Sequence, residues 1–436
     1  MQTTSLDIVQ KLRDHGFEAL YAGGFVRDML LGIEAKDIDI ATNATPDQIE
    51  EIFENTYPIG KAFGVIHVNQ NGFSFEIATF RRDGEYEDGR RPKTVHFSDS
   101  REDALRRDFT INGLFYDPIT KKIIDYVGGQ KDLEERVVQF IGTPDERIQE
   151  DHLRMLRAVR FAHQINGQFE PQTYASIKKH AKLVGDVSKE RIRDELNKML
   201  ISKTRAKALE DLQDLGLLTL IFPELEKLKG IAQPRKYHRE GSVWDHVMKG
   251  IMSIKSSNIN LIWATLLHDI GKPDTYHMDE RIRFNGHAEK SAEIAEVVLT
   301  RLRFSNREKE QIVWAVKNHM SLFHLIGEDT SEKTKREWFM HPAFPLLLEL
   351  HRADVLGTSP HDLTSYNALK NAYQIRKEAG QLKIPKLISG DEIGELLGLK
   401  EGKEIGKILE EIKDKQMLGE IETRAEVIEY ITRQNT

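Results

Sequence analysis

Residues 20–30 read Leu-Tyr-Ala-Gly-Gly-Phe-Val-Arg-Asp-Met-Leu, and residues 37–42 read Asp-Ile-Asp-Ile-Ala-Thr. The first stretch predicts a strand, a glycine turn and a short helix, and the second predicts a strand that carries two carboxylates. Because side chains alternate between the faces of a strand, Asp37 and Asp39 point the same way. Two carboxylates beside a glycine turn that lets backbone approach phosphate are typical of a metal–nucleotide site. An Asx-capped surface turn would explain Asp-x-Asp alone, but the glycine pair and Arg27 favour the nucleotide site.

Composition places the chain among ordinary globular proteins. Its 436 residues are enough for roughly three domains, and 39% hydrophobic with 31% charged residues is usual for this class. The absence of cysteine excludes disulfides, thiolate metal sites and a catalytic thiol. No apolar run approaches a membrane span, and the first residues lack the features of a signal peptide. We therefore expect a cytoplasmic protein without a membrane partner, whose oligomeric state the sequence leaves open.

Charge is distributed unevenly beneath a net charge of −7. Residues 189–207 carry seven basic against three acidic side chains, whereas residues 391–436 carry twelve acidic against seven basic ones. A basic middle and an acidic tail fit localised RNA contact better than a general coating of RNA. Solvated helix faces explain both segments equally well, so composition alone does not choose between the two.

The chain changes character near residue 135. Before it, apolar runs separated by glycine and Asx residues predict strands. After it, apolar residues recur at three- and four-residue spacing, which predicts helices. The predicted strands are Ala19–Tyr21, Ile38–Ala41, Val65–Val68, Phe73–Phe80 and Leu114–Tyr116, and examples of the predicted helices are Arg154–Ala162, Ala206–Leu218, Ile259–Leu267, Ala292–Leu302 and Glu308–Val316.

The two carboxylates fit a particular chemistry. Phosphoryl transfer needs the charge of a triphosphate neutralised and an in-line attack, which two metal ions about 4 Å apart can supply. Asp37 and Asp39 are the predicted ligands, and Glu76 is a further candidate that an ordinary strand acid explains equally well. Gly24 lets the backbone approach phosphate, and Arg27 can pair with it.

Two downstream motifs add candidates. Residues 106–114 read Arg-Arg-Asp-Phe-Thr-Ile-Asn-Gly-Leu; Arg107 and Asp108 would lie by a nucleotide and Asn112 by its sugar, with a helix cap and its salt bridge as the alternative. Residues 150–161 read Glu-Asp-His-Leu-Arg-Met-Leu-Arg-Ala-Val-Arg-Phe and predict a helix in which Asp151 and Arg154 are neighbours on one face. A carboxylate and a guanidinium side by side can hydrogen-bond the Watson–Crick edge of a base, so this pair could select a nucleotide without a template. A surface ion pair of little worth is the alternative.

These motifs, in this order, resemble the class II tRNA nucleotidyltransferase and bacterial poly(A) polymerase family. Arg-Ile-Arg-Asp-Glu-Leu at 191–196 and Glu-Ile-Gly-Lys-Ile-Leu at 404–409 match its pattern as well, so the resemblance spans essentially the whole chain. It implies an α+β fold with a polymerase-beta-type head of mixed sheet and helices at 1–135. An all-α neck at 136–222, an HD body at 223–380 and a helical tail at 381–436 would follow.

The resemblance also implies an enzyme that adds C, C and A to the 3′ end of tRNA from CTP and ATP with Mg²⁺. By position, Asp37 and Asp39 would be the catalytic metal ligands, while Asp151 and Arg154 would select the base. The remaining candidates for nucleotide binding are Gly24, Arg27, Arg107, Asp108, Asn112, Arg157 and Arg160.

The subtype depends on residues 81–100, which are dense in charge, glycine and proline. They predict a functional flap, with disorder as the alternative. In this family the CC-adding type lacks the flexible loop that switches the site to ATP, whereas residues 83–92 are intact here. The intact loop argues against CC-only addition. It does not separate CCA addition, which the resemblance implies, from an A-adding enzyme that follows a CC-adding partner. The short acidic tail argues against a poly(A) polymerase.

Imidazoles and carboxylates in the helical part suggest a second metal site. Side chains spaced across successive helices can converge on one centre in a bundle, although each histidine alone is better explained as a core or surface residue. The ordered set resembles the HD phosphohydrolase domain, which implies phosphatase or 2′,3′-cyclic phosphodiesterase activity with Ni²⁺, Mn²⁺ or Mg²⁺. A phosphohydrolase whose head only binds RNA is a further alternative. The implied ligands are His246, His268, Asp269 and Asp354, with His287 and His319 as additional ones.

Overall fold

The computed structural model describes residues 1–34, 37–84, 89, 94–234, 238–325, 330–380, 382, 385–399, 402–417, 420–421 and 423–434. The chain divides into two compact units, Met1–Glu226 and Lys227–Thr436. The strands are β1 Ala19–Ala22, β2 Asp39–Thr42, β3 Thr56–Tyr57, β4 Val65–Gln70, β5 Phe73–Thr79, β6 Arg81–Asp83, β7 Val95–Phe97, β8 Leu114–Asp117, β9 Lys122–Asp125, β10 Val137–Val138, β11 Gln168–Phe169, β12 His277–Met278 and β13 Ile282–Arg283.

Helices make up most of the remaining structure. In the first unit they are α1 Gln2–Asp14, α2 Gly24–Leu30, α3 Pro46–Ile52, α4 Ser100–Leu105, α5 Gly129–Glu134, α6 Pro144–Glu150, α7 Arg154–Gln164, α8 Pro171–His180, α9 Lys189–Leu200, α10 Arg205–Asp214, α11 Leu218–Ile221 and α12 Pro223–Glu226. In the second they are α13 Val243–Ser253, α14 Ile259–Leu267, α15 His287–Arg301, α16 Asn306–Lys317, α17 Leu322–Leu325, α18 Glu332–Met340, α19 Phe344–Gly357, α20 Thr364–Glu378, α21 Gly390–Leu397, α22 Lys403–Met417 and α23 Arg424–Gln434.

A seven-stranded mixed sheet organises the head, in the order β3-β4-β5-β2-β1-β8-β9. Strands β2 and β5 run parallel, and the other neighbouring pairs are antiparallel. The register pairs Ala22 with Asp39 and Ile40 with Ile77. Because Ile40 and Ile77 are buried on one face, Asp39 and Glu76 lie beside each other on the opposite face.

The second unit is built around α14, whose residues Leu261 to Leu267 are all buried. The Asn258 side chain accepts a hydrogen bond from Leu261 N–H and caps the helix, which ends at His268. The His268-Asp269 pair therefore stands at the end of a buried helix. Among the described residues, no helix has the length and apolar character that crossing a membrane requires.

The α+β class and the mixed-sheet head are confirmed, and all five predicted strands occur with shifts of a few residues at most. The single helix predicted over 206–218 is wrong: α10 ends at Asp214, because Gly216 adopts φ +74° and turns the chain before α11. The neck and the second unit are mainly helical but also contain the short pairs β10–β11 and β12–β13.

The predicted flap begins and ends in a hairpin, since β6 and β7 are antiparallel partners. Residues 85–88 and 90–93, which include most of the motif at 88–92, lie outside the described residues.

Candidate functional site

The head carboxylates lie next to the glycine turn that follows β1. Ala22 pairs with Asp39, so Gly23 and Gly24 begin beside that carboxylate. Gly23 adopts φ +61°, and a Cβ atom there would lie 2.8 Å from Arg107 Nη1. The positive φ therefore favours glycine at this position, and an added Cβ would also displace the Arg107 guanidinium.

Burial and neighbouring charges raise the pKa of Asp39. Its side chain keeps contact with solvent, yet the protein atoms around the carboxyl, and after them the charge of Glu76, raise the pKa of Asp39 to about 6. Asp37 acts in the same direction on this pKa, whereas Arg107 and Arg27 oppose the rise. The structure thus brings the three acidic candidates and two basic ones into one electrostatic neighbourhood.

A buried polar chain connects the two downstream motifs. Arg27 Nη1 donates to Asn112 Oδ1 at 2.6 Å, and Asn112 Nδ2 donates to Asp108 Oδ1 at 2.9 Å. Asp108 Oδ2 accepts from Arg157 Nε at 2.7 Å and lies 2.6 Å from Arg157 Nη2. Burial would raise the pKa of Asp108, but the charge of Arg157 and the hydrogen bond from Asn112 hold it below its usual value.

Three guanidinium groups surround one aromatic ring next to this series of hydrogen bonds. The Arg27, Arg157 and Arg160 guanidinium carbons lie 4.9, 5.2 and 3.9 Å from the centroid of Phe161. Arg160 Nε also donates to Glu195 Oε2 at 2.6 Å. The ring and the paired carboxylates of Asp28, Asp108 and Glu195 thus hold these three guanidinium groups in fixed positions.

The continuous helix predicted over 150–161 is wrong. Helix α6 ends at Glu150, Asp151 is extended at φ −148° and ψ 106°, and α7 begins at Arg154. The reason is local, because Asp151 Oδ1 accepts a hydrogen bond from Leu153 N–H at 3.1 Å, an Asx turn that competes with the helix. Asp151 and Arg154 are therefore not neighbours by helical spacing.

Each proposed base selector has its own partner. Arg191 donates to both oxygens of Asp151, from Nη1 at 3.1 Å and from Nη2 at 2.7 Å. Arg154 Nη1 donates to Glu150 Oε2 at 2.5 Å and to the carbonyl of Arg147 at 2.9 Å. Gly89, within the flap, accepts a hydrogen bond at 3.2 Å from the backbone N–H of His152, the residue after Asp151.

In the second unit the predicted ligands converge on two adjacent centres. His246 Nε2 lies 3.0 Å from Asp354 Oδ1 and 3.3 Å from His268 Nε2, and both imidazoles lie within 3.6 Å of Asp269 Oδ2. The other oxygen of Asp269 lies 3.5 Å from His287 Nε2. A single carboxylate therefore faces both centres.

The second centre contains the additional histidines. His319 Nε2 lies 4.0 Å from Asp269 Oδ1 and 3.2 Å from His287 Nε2. Among the described residues, three sets of candidate metal-ligand atoms lie mutually within 4.8 Å. Two of the sets belong to these centres, the third is His238, Glu240 and His246, and none of them includes a head carboxylate. The donor set of imidazole nitrogens and carboxylate oxygens fits Mn²⁺, Ni²⁺ or Mg²⁺.

The candidate ligands of the second unit differ in how well their protonation states suit metal binding. Burial lowers the pKa of His319 to about 3, so this imidazole is a neutral ligand at pH 7. Burial would raise the pKa of Asp269, but the charges of His268 and Lys272 hold it well below its usual value. Burial would lower the pKa of His268, but the charges of Asp269 and Asp354 outweigh burial and raise this pKa to about 10. Binding of a metal at His268 must therefore release a proton.

An open pocket of about 830 Å³ leads to the candidate metal centre. Its walls include ligands of both centres together with Arg281 and Arg283 on the β12–β13 hairpin, and Phe284. Cations beside a metal centre favour a phosphorylated substrate, and the volume suffices for a nucleotide-sized ligand.

Family comparisons agree with this arrangement. A model described as the Poly A polymerase head domain matches residues 19–139, one described as a probable RNA and SrmB- binding site of polymerase A matches 168–229, and the HD domain model matches 245–356. Three regions of the chain are thus similar to parts of poly(A) polymerases and to HD domains.

CCA-adding enzymes are among the proteins whose sequences this chain resembles. The CCA-adding enzyme of Bacillus pumilus is 43% identical over 270 residues, which are 62% of this chain and 64% of that protein. The enzyme of the same name from Ligilactobacillus salivarius is 38% identical over 262 residues, 59% of this chain and 64% of that one. The matched region thus spans less than two thirds of these relatives.

Solved structures show the same fold over nearly the whole chain. The Bacillus stearothermophilus CCA-adding enzyme in complex with CTP superposes with a TM-score of 0.68 at 23% identity, covering 99% of this chain and 97% of that one. The Thermotoga maritima CCA-adding enzyme complexed with tRNA gives a TM-score of 0.52 at 20% identity, covering 98% and 94%.

Sequence reasoning missed several residues of the two candidate sites. Glu150 and Glu240 were not singled out, although each faces a candidate site residue. Lys272, whose Nζ lies 2.6 Å from Asp269 Oδ2, follows His268-Asp269 in the sequence, so its i,i+3 spacing was the one readable signal. Glu240 carried no such signal, because its contacts depend on a loop.

Proposed function

We propose that this nucleotidyltransferase adds C, C and A to the 3′ end of tRNA, using CTP and ATP as substrates. The observation that carries the proposal is the placement of Asp39 beside the glycine turn, next to Glu76, Arg27 and Arg107. The names of the similar proteins support tRNA as the acceptor and CTP as a substrate. We also propose the four-part division into head at 1–135, neck at 136–222, HD body at 223–380 and tail at 381–436.

In this proposal Asp37 and Asp39 would hold Mg²⁺, which would neutralise charge on the triphosphate. The tRNA 3′-hydroxyl would then attack the α-phosphorus, and pyrophosphate would leave. Gly24 offers backbone close to the phosphates, and Arg27 and Arg107 supply positive charge. Asp108 and Asn112 hold Arg157 and Arg27 in place, while Arg160 extends the cationic cluster.

Base selection is assigned to Asp151 and Arg154. Both side chains are held by protein partners when no nucleotide is bound, so they are oriented before a base arrives. A pre-oriented carboxylate and guanidinium lose less entropy on binding a base edge than free side chains would.

The test offers tRNA ending at the discriminator base, or after CC, with CTP and ATP separately and together. We expect three additions to the first substrate, and loss of addition in Asp37→Asn and Asp39→Asn but not in Asp7→Asn, an exposed control on α1. Incorporation of AMP only onto the CC-ended tRNA would replace CCA addition by the A-adding alternative. No incorporation by the intact protein would refute nucleotide transfer.

We propose a second activity in the HD body, hydrolysis of terminal phosphates or 2′,3′-cyclic phosphates. The supporting observation is the pair of ligand sets that share Asp269. His246, His268, Asp354 and one oxygen of Asp269 would hold one divalent ion, and His287, His319 and the other oxygen a second. Bound metal would activate water for attack on phosphorus.

This activity is measured with p-nitrophenyl phosphate and 2′,3′-cyclic AMP in the presence of Ni²⁺, Mn²⁺ or Mg²⁺. We expect His268→Ala and Asp269→Ala to abolish hydrolysis and to leave tRNA addition unchanged. The matched control is His277→Ala, an exposed imidazole that pairs with Asp279. Hydrolysis that survives both ligand variants would remove these residues from the reaction. A head that only binds RNA would be indicated by hydrolysis without any nucleotide addition.

A further inference from the structure

Three of the four histidines in the metal centre are oriented by the backbone of their own segment. The Nδ1 atoms of His268, His287 and His319 lie 2.8, 2.9 and 2.7 Å from the carbonyls of Thr265, Phe284 and Val316, in each case three residues earlier. An Nδ1–H that donates to a carbonyl leaves the lone pair on Nε2. These three rings therefore present Nε2 to the centre by virtue of local backbone geometry.

His246 differs from the other three. It lies one turn into α13, and among the described residues no carbonyl forms a hydrogen bond with its buried Nδ1. Its Nδ1 faces Oε1 of Glu240 at 3.4 Å, while its Nε2 points to Asp354 and His268. The distance is long for a hydrogen bond, as is common in sites that tighten when a ligand binds.

Glu240 is held firmly in this position. Its side chain is 0% exposed, and it lies 2.6 Å from His238 Nδ1 through Oε1 while Oε2 accepts the Ser359 N–H at 2.8 Å. The next residue, Gly241, adopts φ +127°, and a Cβ there would lie 2.5 Å from Asp245 Oδ2. The turn that carries Glu240 onto the face of α13 therefore depends on glycine.

A buried carboxylate has a specific use in such a place. Leaving it in the interior without compensation is costly, and its oxygens here meet imidazole and backbone donors. A carboxylate behind a metal-binding imidazole fixes the tautomer and raises the basicity of the ligand nitrogen. Glu240 is the carboxylate that stands behind His246.

We propose that Glu240 is a positioning residue that holds His246 as the Nδ1–H tautomer, so that Nε2 is available to the metal. This inference rests on the proposed HD metal centre. It assigns to Glu240, through a side-chain contact, the role that backbone carbonyls play for the other three imidazoles. Glu240 itself does not touch the metal or the substrate.

The experiment uses the full chain and measures binding of Mn²⁺ alone by calorimetry. We expect Glu240→Ala to weaken binding by about 10- to 100-fold, the usual effect of removing the group behind a ligand. Glu240→Gln keeps one oxygen acceptor and is expected to fall between wild type and Glu240→Ala. The matched control is Tyr366→Phe, which removes the hydrogen bond from a buried hydroxyl to Glu349 on the helix that carries Asp354; it should bind Mn²⁺ as wild type does.

A second measurement separates positioning from general loosening. In metal-free protein labelled with ¹⁵N-histidine, NMR at a pH where His246 is neutral should show Nδ1–H in wild type and a mixture of tautomers in Glu240→Ala. The His268 and His319 signals should not change. Equal Mn²⁺ affinity and an unchanged His246 tautomer in Glu240→Ala would overturn the role of Glu240, whereas wild-type protein that binds no Mn²⁺ would overturn the metal centre itself.

Discussion

Arg191 and Asp151 form an ion pair with two hydrogen bonds, at 3.1 and 2.7 Å, across 40 residues of sequence. Arg191 belongs to the Arg-Ile-Arg-Asp-Glu-Leu motif on α9, and Asp151 lies in the break between α6 and α7. A motif that the sequence places in the RNA-binding neck thus also orients the proposed base selector. Under the base selection proposed above, Arg191 would position the selecting carboxylate.

We expect Arg191→Ala to reduce discrimination between correct and incorrect nucleotides about tenfold. Loss of charge-assisted hydrogen bonds worth roughly 1.5 kcal/mol would leave the Asp151 carboxylate free to rotate. The measurement is the ratio of CMP to UMP incorporation, which cancels any change in tRNA binding. Arg193→Ala, two positions along α9 and paired with Asp194, is the control. An unchanged ratio of CMP to UMP incorporation in Arg191→Ala would mean that Arg191 does not orient the Asp151 carboxylate for base selection.

Nucleotide addition should fall as the pH drops through about 6, because the pKa of Asp39 is raised to about 6 and its protonated form is a poor metal ligand. Folding stability depends on pH in the opposite direction to activity. A carboxyl whose pKa is raised by folding stabilises the folded state below its unfolded pKa near 3.8, and this contribution is lost as pH rises through 6. Asp39→Asn should therefore have a higher Tm than wild type at pH 7, and the difference should vanish below pH 4. Equal Tm values at pH 7 would contradict the raised pKa.

The variant Glu76→Gln distinguishes two possible roles of Glu76, an effect of its charge on the pKa of Asp39 and direct ligation of the metal. The charge of Glu76 is the second cause, after burial, of the raised pKa of Asp39. Removing it should move the acid limb of the pH–rate profile to lower pH while the plateau is kept. Loss of addition at every pH would instead make Glu76 a metal ligand.

Asp108→Asn should destabilise the first unit by about 3–5 kcal/mol, because it leaves the Arg157 guanidinium without its anionic partner. The pKa of Asp108 is held below its usual value, so its contribution to stability is present above about pH 4 and is lost as the pH falls further. Thermal melting at several pH values measures the effect, and the gap between wild type and variant should narrow from pH 5 to pH 3. Asp194→Asn, at an exposed pair on α9, should change Tm little. A gap independent of pH would show that the effect is one of packing.

Gly357→Ala should weaken Mn²⁺ binding in the HD body at least tenfold. A Cβ at Gly357 would lie 2.8 Å from the His246 carbonyl and 3.1 Å from its Nδ1, so the ring must shift away from Asp354. Calorimetric titration measures the change. Gly406→Ala, inside α22 with no atom within 4 Å of the added Cβ, should leave binding unchanged. Wild-type Mn²⁺ affinity in Gly357→Ala would show that α13 and α19 can move apart without a loss of binding free energy.

The sequence alone determined the elements that depend on local pattern. Alternation in Ala19–Ala22 and Asp39–Thr42, the glycine pair between them and the unbroken apolar run of α14 each reflect neighbours within a few residues. The helix predicted through Asp151 failed for a local reason as well, since one side-chain hydrogen bond to the backbone of Leu153 competed with helical spacing.

Only the tertiary structure decided which partner each functional group has. Sequence spacing suggested that Asp151 and Arg154 are neighbours. In the structure α9 packs beside α7, so Asp151 pairs with Arg191, and Arg154 pairs with Glu150. Likewise His268-Asp269 was readable, whereas the sharing of Asp269 between two centres and the position of Glu240 behind His246 were not. Hydrogen bonds and ion pairs act over about 3 Å, so their partners depend on how distant segments pack, which periodicity within one segment does not encode.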